Sequence, residues 1–482
     1  MADLFGRMMS IGLLALGLIV SSIMPVSAGD PLELPAGRRL LFLDDYIVSE
    51  IQGLKRTLHQ PIKRGAVIRG LKSSQTLQIR TAPAWDPIAR VYKLWVLGTD
   101  RPFWTSEDGL HWIPGPNPDL RTDHVVYDPH DLDPTRRFKA AQTNEYFAVS
   151  ADGIHWRKLE IAKVPSSDES NLSYDPAERL FIHTVKRGGK FGRSVAMAVS
   201  RDFQNWDDFG VVFEADDEDQ QRGIATIRSR LADSTLMPPS YVDEKAFRVD
   251  VYNMGVFHYE GQYIGLPAMF HSTGPVPNYP NTDGFHVVEL AVSRDLKHWD
   301  RVGDRNPFLG PSRLNSGAYD LTQILPPSAP VIRDDELWFY YTGLKYRSTF
   351  HYFGTYPNGR TEPRADLEPD HGAVCLAVLR RDGFLSLDND HVEGFVLTKP
   401  MLLPSEVISL NLITRKEGFA VVELINSDME TVSSSEPVTG DSIRLPVEWK
   451  SKTAAVKSLI GKPVQLKIRL RNASLFAFQM GK

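Results

Sequence analysis

Cys375 is the one cysteine among 482 residues. That excludes an internal disulfide and any metal site built from cysteines. Neither sign of charge dominates, with 55 Lys and Arg against 60 Asp and Glu. Nucleic acid needs a basic face, and nothing in this balance supplies one. Beyond residue 28 no apolar run is long enough to cross a bilayer. Helical signals are weak, so low helix content is expected throughout. What the chain holds instead is glycine and proline, 35 and 33 of them, with frequent Trp and Tyr. That composition suits many short strands joined by turns.

One stretch recurs. Ser106-Glu107-Asp108-Gly109-Leu110-His111-Trp112 returns as Ser150-Ala151-Asp152-Gly153-Ile154-His155-Trp156. Looser copies run Ser200 to Trp206 and Ser293 to Trp299, and a decayed fifth runs Arg380 to Ser386. An apolar run leads into each of the last four, such as Val195 to Val199 and Ala373 to Val378. Self-similarity on this scale marks a repeat architecture. A strand, an Asp-Gly turn and then Trp is a hairpin signal, because Asp and Gly accept positive φ. Four antiparallel strands per repeat make a propeller blade. The blades are expected at 73–118, 121–163, 166–214, 248–308 and 318–388.

From about Val392 the pattern changes. Val464, Leu466, Ile468 and Leu470 alternate with polar neighbours, as in a half-buried strand. The fold expected is therefore all-β: a five-bladed β-propeller over 38–390, then a jelly-roll-like β-sandwich over 391–482. Residues 1–28 read as an export signal, with Arg7, an apolar Met8 to Met24, and a small-residue site at Val26-Ser27-Ala28. Cleavage there predicts a secreted or periplasmic protein with no membrane attachment afterwards.

First strands of blades converge on the central channel, and their openings rim its mouth. The Ser-x-Asp turns join strands three and four, so they fall on the opposite face. Asp108, Asp152, Asp202 and Asp295 are thus expected to hold their own turns. Glu260 is placed on that same far face. The informative acids stand at blade openings: Asp123 with His124, Asp168 with Asn171, Asp250 with Tyr252 and Asn253, and Asp320 beside Tyr319. Asp168, Asp250 and Asp320 are the expected catalytic carboxylates, with Asp168 first. Asp45 is expected on a strand closing the ring, and it joins Asp123, His124, Asn171, Tyr252, Asn253, His271 and Tyr319 as expected substrate contacts. Trp104, Tyr279, Tyr346, His351 and Tyr352 are further aromatic candidates for stacking on sugar rings. The loops 272–284 and 348–371 should border the mouth and set specificity.

Five blades with Ser-x-Asp-Gly-x-x-Trp turns followed by a β-sandwich resemble the glycoside hydrolases of families 32 and 43 and their relatives. The chain is similar also to a set of exported bacterial proteins. These carry stretches like Leu41 to Tyr46, Asp168-Glu169-Ser170-Asn171, Tyr259 to Tyr263, Gly383 to Leu387 and Thr398-Lys399-Pro400. The turn resembles the sialidase Asp box too, but Gly follows Asp one residue early. The resemblance implies cleavage of an oligo- or polysaccharide by paired carboxylates in the channel. The family 32 opening Asn-Asp-Pro-Asn-Gly and a Glu-Cys setting are absent, so the family's catalytic residues are not carried over. The alternative is a propeller that binds carbohydrate without cleaving it. No cofactor is expected and no spaced motif requires a metal, although the resemblance allows a structural calcium in the channel.

Overall fold

The computed structural model describes residues 30–70, 76–277, 281–347, 370–450 and 453–481. The expected export segment and Tyr279, His351 and Tyr352 lie outside the described residues. Five antiparallel sheets form the expected five-bladed propeller. Blade I is Ala84–Asp86, Val91–Trp95, Phe103–Ser106 and Ile113–Pro114. Blade II is His124–Tyr127, Phe138–Gln142, Tyr146–Ser150 and Trp156–Leu159. Blade III is Ser170–Asp175, Leu180–Gly189, Gly192–Ser200 and Asp207–Phe213. Blade IV is Arg248–Tyr259, Gln262–Pro275, Leu290–Ser293 and Asp300–Val302, and Thr282–Val288 also pairs with its second strand.

Blade V is assembled from both ends of the propeller segment. Gln323–Leu325, Glu336–Leu344 and Gly372–Arg380 come in sequence, and Ile62–Arg69 pairs with Gly372–Arg380 as the outer strand. A late strand held by an early one closes the ring and gives the last blade a partner for its edge. Lys63, on the closing strand, pairs with Asp320 at 2.6 Å. The closing strand is therefore not the segment around Asp45.

That segment belongs to the second sheet unit. Arg39–Leu41 pairs with Pro463–Met480, Val48–Gln52 with Gly394–Thr398, and Lys55–Leu58 with Leu385–Asn389. Ten strands form this network, organised on two long strands, Ile408–Ile425 and Pro463–Met480. The alternation read from sequence is met: Val464, Leu466, Ile468 and Leu470 are buried in the unit's own core, beside Phe42 and Leu410. Residues 39–58, expected in the propeller, lie here because their backbone groups are paired with C-terminal strands. Apolar content alone could not have told which sheet they joined.

The repeated turns are structural, as expected. Asp108 accepts backbone N–H groups from Leu110 and His111, both at 2.8 Å, while Gly109 N–H donates to Ser106 Oγ at 2.9 Å. Asp152 does the same with Ile154 and His155 at 2.8 and 2.9 Å. Asp202 and Asp295 repeat the pattern. The hydrogen bond from the His111 backbone, with burial opposing it, holds Asp108 well below the ordinary carboxylate range. The residue after Asp needs positive φ: Gly109 and Gly153 have φ of 76° and 79°. Phe203 and Leu296 occupy that position in blades III and IV at 59° and 66°. A side chain is costly there. Both are almost fully buried, so apolar burial offsets the strain. Asp152→Ala leaves two N–H groups without their acceptor. It is expected to lower stability by about 1–2 kcal/mol and to leave pocket binding unchanged. A thermal melt alongside a binding titration checks this. Lost binding at full stability would move the site to the far face.

One element was not expected: a helix, Asp217–Ala232, between blades III and IV. Its capping box joins Asp216 and Asp219, each accepting the other's backbone N–H at 2.9 Å. Arg301 and Arg305 hold the same two carboxylates. The helix packs against the opening of blade IV's first strand, where the Gln220 side chain both donates to and accepts from the Val249 backbone. Its weak apolar face explains why periodicity did not reveal it.

Candidate functional site

A cavity of about 630 Å³ opens where the first strands begin. Every blade contributes to its wall: Gln78 and Arg80, then Asp123 and His124, Asp168 and Glu169, Tyr252, and Gln323. Its position is the mouth predicted from strand order. The edge of blade I is fixed against blade V by Thr342, whose hydroxyl accepts Ile79 N–H at 2.7 Å and donates to Ile79 O at 2.9 Å.

An ion pair crosses this wall. Arg80 donates from Nε to Glu169 Oε2 at 2.6 Å and from Nη2 to Glu169 Oε1 at 2.8 Å. Two parallel bonds make this a fork, stronger than a point contact. Tyr252 Oη also donates to Glu169 Oε1, at 3.2 Å. Blades I, III and IV thus meet at one carboxylate. Burial pushes Glu169 up, but Arg80 outweighs it and holds the carboxyl at about 2. Asp123 is held by Arg121 Nη2 at 2.8 Å and by Gln142 Nε2 at 2.8 Å. Asp168 pairs with Lys186 Nζ at 2.6 Å, and its side chain is 64% exposed. Lys186 Nζ also lies 3.8 Å from the centre of the Tyr252 ring. Burial lowers the Lys186 pKa against the pull of Glu169 and Asp168.

His124 is buried, with Nδ1 2.9 Å from Ala141 O. A carbonyl only accepts, so Nδ1 carries the proton and Nε2 is left as an acceptor. Burial lowers the His124 pKa, which keeps the ring neutral. Asn171 and Asn253 do not line the cavity. Both are buried on first strands, with Asn171 Nδ2 and both Asn253 amide atoms lacking partners among the described residues.

Four expected site residues, Asp123, His124, Asp168 and Tyr252, meet in the cavity; Tyr346 joins them. The other expected catalytic acids do not. Asp250 is fully buried behind ion pairs with Arg193 at 2.9 Å and Arg248 at 3.7 Å. Asp320 is buried between Lys63 and Tyr341 Oη, the latter at 2.9 Å, where it clips the closing strand to blade V. Tyr319 donates to Asp370 at 2.5 Å under Arg69, outside the cavity. His271 is stacked on Phe285 at 4.9 Å. Asp45 pairs with Arg56 in the second sheet unit. Trp104 is core, with Nε1 donating to Arg101 O at 2.7 Å. These six acids and rings fail as contacts because a strand-end side chain also serves inter-strand ion pairs and packing. Of the two loops expected at the mouth, 272–284 is largely strand, and Asn281 there accepts from Arg193 at 2.9 Å. Arg347 and His371, near the two ends of the other, line the cavity.

Two important wall residues were missed, Arg80 and Arg347, and so was Lys186 behind Asp168 and Tyr252. Glu169 was noticed only as a neighbour of Asp168. A one-residue change along a strand end turns a side chain to another wall, and sequence does not fix it. A channel calcium needs about six to eight oxygen ligands. Among the described residues no group of three or more His, Cys, Asp and Glu side chains could hold a metal ion.

No family model matches the chain, and no curated protein matches it. Solved structures do. A family-32 β-fructofuranosidase of Bombyx mori matches at 11% identity and TM-score 0.36, over 87% of this chain and 94% of that one. A thermostable family-43 glycoside hydrolase matches at 12% identity and TM-score 0.37, over 67% and 96%. An N-acetylgalactosamine deacetylase from F. plautii, in complex with blood group B trisaccharide, matches at 15% and TM-score 0.35, over 73% and 96%.

Proposed function

We propose that the cavity at the channel mouth binds a carbohydrate. The observation that carries this reading is the lining. Gln78, Arg80, Asp123, Gln142, Asn144 and Gln323 present hydrogen-bonding groups around one cavity, with Tyr252 and Tyr346 supplying aromatic surface. Sugars offer many hydroxyls and a few apolar ring faces, and such a wall complements both. The forked Arg80–Glu169 pair keeps two of these groups fixed before a ligand arrives, which reduces the ordering cost of binding.

Cleavage of a glycosidic bond is a second reading, favoured by one observation. Asp123, Asp168 and Glu169 border the same cavity, and cleavage needs two carboxyl groups flanking the bond. A general acid must hold a proton near neutral pH. Glu169, held at about 2, is a stabilising carboxylate and not a donor. Asp168 is the acid on this reading, because among the described residues its exposed carboxyl has one ion-pair partner, Lys186, which a ligand can displace. Once a glycan ligand is found, Asp168→Asn is expected to keep binding within a few-fold and to cut turnover roughly a hundredfold. Near-normal turnover in Asp168→Asn excludes it as the acid. Binding with no turnover in the wild type leaves the binding reading alone.

A further inference from the structure

Most cations at or behind this wall have a carboxylate. Arg80 has Glu169, Arg121 has Asp123, Lys186 has Asp168, and Arg193 has Asp250. Arg347 does not. Its Nε and Nη2 are buried and without a hydrogen-bond partner among the described residues, yet the residue lines the cavity. Three cations crowd one ring: Lys186 Nζ, Arg193 Cζ and Arg347 Cζ stand 3.8, 5.7 and 5.5 Å from the centre of Tyr252. Arg193 and Arg347 also share the face of Phe270, at 5.1 and 5.2 Å. Beside them His286 is fully buried, with neither ring nitrogen partnered among the described residues. Burial, reinforced by Arg347, Arg193 and Lys186, keeps that ring neutral, so it adds no anion and can donate a hydrogen bond.

A guanidinium whose Nε and Nη2 are buried, with no counter-charge among the described residues, is costly, and ring contacts offset only part of that cost. A ligand oxyanion removes the imbalance. Glu145 also lines the cavity, but as an exposed side chain on its rim. We propose that the cavity selects an acidic sugar, with Arg347 forking onto a carboxylate or sulfate oxygen pair carried by the ring. This rests on the carbohydrate reading above and names the class of sugar. Arg is suited to the task because its planar fork matches a two-oxygen anion and its charge does not titrate.

The test uses an array of uronosyl, sulfated and neutral glycans, probed with wild type, Arg347→Gln and Arg347→Lys at low and high salt. Melting temperatures with sodium glucuronate and with glucose are measured in parallel. Binding confined to acidic glycans is expected, weakened by salt and reduced about tenfold to a hundredfold in Arg347→Gln. Arg347→Lys should recover part of it. Uronosyl and sulfated spots separate the two sources of oxyanion. Neutral glycans bound equally by wild type and Arg347→Gln overturn the inference and leave the carbohydrate reading standing. If no glycan binds, but glucuronate stabilises wild type and not Arg347→Gln, the anion site stands and the carbohydrate reading falls. No response to any of these overturns both. Should Arg347→Gln fail to fold, the salt dependence and the glucuronate–glucose comparison on wild type decide.

Discussion

Arg80→Met is expected to destabilise the propeller by about 3–5 kcal/mol, the scale for removing one partner of a buried ion pair. The substitution leaves Glu169 charged at a site where its side chain is only 11% exposed. It also frees Tyr252 Oη from a fixed partner and removes the bridge between blades I and III. Ligand binding should fall more than tenfold, because two wall groups lose their positions together. The loss is pH-dependent, and its sign follows from Glu169. That carboxyl is depressed to about 2 in the folded protein, against about 4.3 when unfolded. Its contribution to stability is present above about 4.3 and disappears as pH falls through 2. The gap between wild type and Arg80→Met should therefore be full at pH 6 and narrow towards pH 2. Denaturant titrations at a series of pH values measure it. A gap that is absent at pH 6 would show that the pair contributes nothing.

The second large effect is expected at the junction of the two sheet units. Asp382 is fully buried and accepts from Arg39 Nη1 at 2.6 Å, Tyr259 Oη at 2.6 Å and Asn411 Nδ2 at 2.9 Å. Arg39 and Asn411 belong to the second sheet unit, Tyr259 to blade IV, and Asp382 to the turn after blade V. Asp382→Ala leaves Arg39 buried and uncompensated, which should cost about 3–5 kcal/mol. It should also split unfolding into two transitions, since this carboxylate ties the units together. Arg39→Met combined with Asp382→Leu removes both charges and should recover much of the loss. One unshifted transition in Asp382→Ala would mean the units are held by their apolar contacts instead.

The same residue shows what sequence could and could not reveal. The fifth Ser-x-Asp turn reads as decayed because Arg380 replaces Ser. In the structure its aspartate is not a weakened copy but a carboxylate put to another use, pairing across to Arg39. The four intact turns were legible because their chemistry is local: Asp, the N–H groups two and three residues on, and a residue with positive φ. Blade number, and the face on which the first strands open, followed from them. Long-range pairing was not legible. Nothing near Ile62 indicates that it closes blade V, and nothing near Asp320 says that Lys63 from that strand will occupy it. Asp250 and Asp168 read alike, each a carboxylate at a strand opening. They part only because Arg193 and Arg248 reach the first and bury it, while the second faces the cavity. The helix after Asp216 went unread because its surface is mostly polar, and its capping box is seen only in the structure.

On the carbohydrate reading, recognition takes place at the channel mouth and not on the far face with the repeated turns. Amide hydrogen exchange of the wild type, with and without a saturating glycan from the array, tests it directly. Protection is predicted in 76–80, 121–124, 142–145 and 168–171, with the turns at 106–112, 150–156, 200–206 and 293–299 unchanged. Protection confined to those turns, or to the strands of the second sheet unit, would contradict it.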